Sequence, residues 1–121
     1  MLLFVFIALF LPATLSAQSG SEAYTEANKI SADVDKELNA AYGQLIKSIR
    51  ADNDKERADL LVARLQESQR AWLKYRDAQV AFVGIHANVG SASSRALGMA
   101  SYSADLTKQR IKDLTTVPNP F

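Results

Sequence analysis

From Ala23 onward, apolar residues recur every three or four positions, with polar residues filling the other side of a helical wheel. Ile30, Val34, Leu38, Ala41, Leu45 and Ile49 make the first stripe. Asn39, Tyr42 and Ile46 flank it, and Lys36, Glu37, Lys47 and Arg50 decorate the outside. Ser31 either caps a helix starting near residue 32 or lies inside a longer one. No breaker separates Ala23 from Lys29, so the pattern favours the longer helix, about residues 22–50. Gly43 in its interior either allows a close helix contact or is simply tolerated, at a cost of about 1 kcal/mol relative to Ala.

Residues 51–54 read as a turn, with Asp54 placed to cap the next helix. That second helix runs from about Lys55 to Ala87, roughly 50 Å long at 1.5 Å per residue. Its Trp72 face carries Leu61, Leu65, Tyr75, Gln79 and Val83, with Gln69 and Arg76 inside the same arc. Leu60, Ala71, Ala78 and Ile85 form a second apolar stripe, and Val62, Leu73 and Val80 a third. Glu67, Arg70, Lys74 and Asp77 make the one plainly polar strip. A helix apolar around most of its girth predicts neighbours on more than one side, so this is the central element. Residues 88–94 break the pattern, and Ser93 or Ser94 can cap a third helix over about 95–115. Leu97, Ala100, Ala104, Thr107, Ile111 and Leu114 form its stripe, while Lys108, Arg110 and Lys112 gather near its C-terminus, where they suit the helix dipole. No strand alternation, internal repeat or glycine-rich phosphate loop is present. The pattern predicts an all-α protein, a three-helix antiparallel bundle with a long central helix.

The chain opens on an uncharged apolar run of about 11 residues ended by Pro12, followed by small residues up to Ala17. This has the form of a secretory signal peptide over residues 1–17, although no base precedes the run. An uncleaved anchor or a misplaced start remain the alternatives, but the run is short of the roughly 20 residues that span a bilayer. Residues 18–121 then form a single domain with an irregular start at 18–22, placed in the periplasm or secreted. With no cysteine, it has no disulfide and no lipid-modified cysteine, and it relies on its own core. Fourteen bases against 13 acids give +1, and no segment carries the basic excess of a nucleic-acid binder.

Candidate chemistry is sparse. His86 stands alone, without the partners a metal site needs, and reads as a surface histidine. The acids sit at helix starts and on solvent faces and offer no converging pair for hydrolysis. A single loop-edge histidine gives no serine a base. The expected protein is not an enzyme and holds no cofactor or metal. Gln69 and Arg76 stand out as polar groups on a packing face. Either Arg76 pairs with a carboxylate of another helix (Asp33, Glu37, Asp105 and Asp113 are the candidates), or both residues rim a partner-binding groove. Trp72 and Tyr75 read as core anchors rather than interface hot spots.

Leu38-Asn39-Ala40-Ala41-Tyr42, the stretch Gln69-Arg70-Ala71-Trp72-Leu73-Lys74-Tyr75-Arg76-Asp77-Ala78, Gly90-Ser91, and the helix containing Thr107 and Arg110 resemble the lysozyme inhibitor LprI-like family in order and spacing over about residues 25–115. The resemblance implies a small exported bacterial helical domain that binds and blocks lysozyme. It marks Leu38, Asn39, Tyr42, Gln69, Arg70, Trp72, Tyr75, Arg76, Asp77, Thr107 and Arg110 as motif residues, structural or binding. A loop that enters a lysozyme cleft needs small polar residues and a base, and Asn88, Gly90, Ser91 and Arg95 fit. Relatives commonly carry two cysteines that look like a bridge between the second and third helices. Val80 and about Tyr102 stand in those places here, so packing must substitute. The competing readings are an envelope interaction or structural module with another partner and, less favoured, a hydrolase of envelope glycans.

Overall fold

A computed structural model describes residues 14–87 and 90–117. The apolar core of the expected signal, Asn88 of the expected binding loop, and the tail from Pro118 lie outside the described residues. Three helices, α1 (Thr14–Asp52), α2 (Lys55–Ala87) and α3 (Ala92–Thr115), account for the fold. The protein is all-α, with no strand among the described residues.

The boundaries follow from local chemistry. Asp54 caps α2 as expected, its Oδ1 accepting from the Arg57 amide at 2.9 Å. Asn53 closes α1 by donating its Nδ2 to the Ile49 carbonyl at 2.8 Å. The cap of α3 is Ser91, not Ser93 or Ser94, because its Oγ accepts from the Ser94 amide and starts the helix three residues early. Gly90 just before it has φ 77°, a left-handed conformation that glycine adopts without strain. At the other end, α1 is helical from Thr14, so residues 18–22 are not irregular. Gly20 does not break the helix; its surface lies against Ser93 of α3, where an added Cβ would stand 3.7 Å from the hydroxyl. The processing point expected after Ala17 falls inside the first turn of α1.

Successive helices run antiparallel, which sets α1 and α3 parallel. These two make the closest pair, and α2 leans on both. Ala27, Val34 and Leu38 of α1, and Ala100, Ala104, Thr107 and Leu114 of α3, are buried. The alanines let the backbones approach closely. Only Ala58, Val62 and Gly84 are buried on α2. α2 thus packs against more than one neighbour as expected, but the expectation that it is the central element is corrected, for α1 and α3 form the main seam and one side of α2 is bare. Tyr75, Phe82 and Ile85 are 55%, 60% and 80% exposed, and Ala71 and Ala78 on the same stripe are exposed too. Tyr75 is not a core anchor. It sits 60° around the helix from Trp72, just past the sector that α1 and α3 cover.

Candidate functional site

Arg76 ties the bundle together from within. Its side chain is 14% exposed. Nη1 donates to Asp35 Oδ1 of α1 at 3.2 Å and to Thr107 Oγ1 of α3 at 3.4 Å, while Nε donates to Asp77 Oδ1 at 3.1 Å. Thr107 is fully buried, and its hydroxyl donates to the Ser103 carbonyl at 2.7 Å. The expectation that Arg76 pairs across helices holds, but the partner is Asp35 rather than Asp33, Glu37, Asp105 or Asp113. Val34 and Leu38 turn toward α3, which leaves Asp33 and Glu37 flanking the α1–α3 seam near Lys108. Asp35, one 100° step beyond Val34, faces α2.

A second arginine joins from α3. Arg110 turns inward instead of serving the helix dipole: Nε donates to Gln69 Oε1 and Nη2 to Ser68 Oγ, both at 3.0 Å. Both cations lie over the Trp72 ring, with the Arg76 guanidinium 5.3 Å and the Arg110 guanidinium 5.9 Å from its centroid. Both distances are within cation–π range. Thus Gln69, Trp72, Arg76, Asp77, Thr107 and Arg110 form one connected cluster, with every buried polar side-chain atom described satisfied. It spends both nearby carboxylates on Arg76 and is built for rigidity.

Beside this cluster, α1 and α2 frame an open groove of about 450 Å³. Leu38 and Leu73 supply its apolar floor, and Arg76 and Asp35 close one end. Asn39, Tyr42, Gln66, Gln69 and Arg70 ring the rest. Five of the residues singled out in α1 and α2 (Leu38, Asn39, Tyr42, Gln69 and Arg70) therefore meet Arg76 in one place. Asp35 and Gln66 carry no sequence signal that marks them, and only the helix register brings them in.

The candidate loop is elsewhere. Gly90, Ser91 and Arg95 sit at the α2–α3 end of the bundle, about 20 Å along α2 from the groove at 1.5 Å per residue. All three are exposed. The Arg95 side chain has no ion-pair or hydrogen-bond partner among the described residues and borders a small cleft with Val83, Gly84 and Met99.

Comparison with known proteins gives the family. The family model described as lysozyme inhibitor LprI matches residues 14–114. The chain belongs to the LprI family. An uncharacterized protein of Rhizobium meliloti (strain 1021) is 34% identical over 86 residues, 66% of this chain. The chain spans 60% of that relative's length. No solved structure matches. In this LprI-family chain, the resemblance puts a bridge between α2 and α3 at Val80 and about Tyr102, and it is the residue beside Val80 that reaches across: Gln79 Nε2 donates to the Tyr102 hydroxyl at 3.3 Å. Among the described residues no helix is long and apolar enough to cross a membrane, and no group of three potential metal ligands comes together.

Proposed function

We propose that this protein is an exported, non-catalytic inhibitor that binds lysozyme and covers its cleft. The observation that carries this reading is the family match over nearly all of the domain. Export rests on the apolar start of the chain, with processing after Ala17, and places the protein in the periplasm or outside the cell.

Shape selects the contact surface. A lysozyme cleft is concave and lined by two carboxylates, so what enters it must project and carry hydrogen-bond donors or positive charge. The α2–α3 turn is exposed at one end of the bundle and offers Arg95, whose side chain has no partner among the described residues, while the Ser91 hydroxyl is engaged in capping α3. The groove between α1 and α2 is itself concave and does not fill another cleft. A net charge of +1 gives no long-range attraction to a basic lysozyme, so short-range contacts must supply the affinity. The test is clearing of cell-wall suspensions by lysozyme with increasing amounts of the protein. Inhibition complete near equimolar ratio, and weakened by Arg95→Glu, supports the reading.

The bare stripe of Tyr75, Phe82 and Ile85 favours a second reading, an envelope interaction module that docks another protein. Retrieval of a different envelope protein, with lysozyme activity untouched, supports that alternative.

A further inference from the structure

The groove between α1 and α2 has chemistry that neither the bundle nor a cleft-filling contact uses. We infer that it is a glycan site, which takes a short neutral oligosaccharide bearing acetamido groups. The inference goes beyond the contact with lysozyme and does not rest on it.

The first argument is the state of the lining side chains. Asn39, Tyr42, Gln66 and Arg70 make no side-chain hydrogen bond or ion pair within the described structure, although all four border one groove. Gln69 gives only its carbonyl oxygen, to Arg110, so its amide hydrogens remain for a ligand. Asp35 commits one oxygen to Arg76 and keeps the other. Carboxamides that donate and accept in one plane match vicinal hydroxyls and acetamido groups, which do the same.

The second argument is the floor. Half-buried Leu73 and the ring of Tyr42 give the groove its apolar surface, with buried Leu38 at its base. An apolar base beneath a ring of amides suits a ligand with one hydrophobic and one hydroxylated side, which is the character of a pyranose ring. The acetamido methyl also finds apolar contact there. Arg76, held at four points by Asp35, Asp77, Thr107 and Trp72, fixes the end wall, so the site is formed before a ligand arrives.

The third argument is exclusion. A volume of about 450 Å³ is in the range of small-molecule sites, roughly 300–1,000 Å³. Unpaired Arg70 and half-exposed Asp35 put both signs of charge on the rim, which disfavours a polyanion and a polycation alike. A pair of helices presents no strand edge for an extended peptide.

The experiment is a ¹⁵N NMR titration of the purified protein, without lysozyme, using tri-N-acetylchitotriose and, separately, cellotriose. The expected result is saturable movement of the side-chain amide signals of Asn39, Gln66 and Gln69 with chitotriose, with Kd about 1 mM, and weaker movement with cellotriose. Gln66→Ala and Arg70→Ala should each weaken binding about tenfold, the loss expected for hydrogen bonds of this kind. Neither should lower the melting temperature, because neither side chain has a partner in the fold. Equal response to the two sugars overturns the acetamido assignment. Movement confined to other residues, or none at about ten times that concentration, overturns the site.

Discussion

Asp35 on α1 accepts a hydrogen bond from Arg76 on α2 at 3.2 Å, although the two residues are 41 positions apart in the chain. The pair is unequal, with the arginine 14% and the aspartate 52% exposed. Solvent therefore screens the carboxylate, and the coupling between the two is set by the exposed partner. A double-mutant cycle with Asp35→Ala and Arg76→Ala should give about 0.5–1 kcal/mol. Arg76→Ala alone should cost more, about 2–3 kcal/mol, since it also removes the contacts to Thr107, Asp77 and the Trp72 ring. Urea unfolding curves of the four proteins measure both quantities.

Thr107 is the most completely buried side chain, and its hydroxyl is shared by Ser103 and Arg76. Thr107→Val keeps the shape and removes the hydroxyl. Arg76 retains its carboxylate partners, so the loss should be about 1 kcal/mol. Thr107→Leu adds volume at the close contact between α1 and α3 and should cost about 1–3 kcal/mol or more. Thermal unfolding should rank them wild type, Val, Leu.

Two helical glycines should respond differently to alanine. A Cβ on Gly43 meets nothing within 4 Å, so Gly43→Ala should stabilise by about 0.5–1 kcal/mol through helix propensity alone. A Cβ on Gly84 would stand 2.6 Å from Met99 Sδ. Methionine can shift, but only by leaving its packed position, so Gly84→Ala should lack that gain. Of the two readings open for Gly43, tolerance is right, since no neighbour approaches it.

At the α1–α2 turn, Asp59 is bonded by Lys55 Nζ at 2.7 Å and by Arg50 Nη1 at 2.9 Å. Hydrogen bonds from Lys55 and then Arg50 hold its carboxyl below the ordinary carboxylate value. A folded-state value below the unfolded one adds stability above the unfolded pKa, lost as pH falls through the folded value. Asp59→Asn should therefore lower stability near neutrality, and its difference from the wild type should fade as pH falls below about 4. Because the group is exposed, 1 M salt should shrink the difference. Acid unfolding followed by circular dichroism checks both statements.

The three helices and the Asp54 cap are legible in the sequence because they depend on local spacing and local hydrogen bonds. That Arg76 must find a partner is legible too, because a polar group on a packing face needs one. Its identity is not. Asp33, Asp35 and Glu37 are equivalent until the rotation of α1 is known, and burial of Val34 and Leu38 against α3 sets that rotation. The same limit explains Tyr75 and the bare stripe on α2: apolar spacing marks a face that can be covered, while the positions of α1 and α3 decide which face is. Arg110 looked like a dipole cation, and only the register of α3 against Ser68, Gln69 and Trp72 turns it inward. Gln66 joined the groove for the same reason, with nothing local to announce it.

The central claim is that this LprI-family protein binds lysozyme through the α2–α3 end of its bundle. Titration calorimetry of the protein against several lysozyme types tests it most directly. The account predicts a saturable heat with one-to-one stoichiometry for at least one of them, strongly reduced by Arg95→Glu and retained by Arg70→Ala. Absence of heat with every lysozyme, while the protein remains folded by circular dichroism, would contradict it.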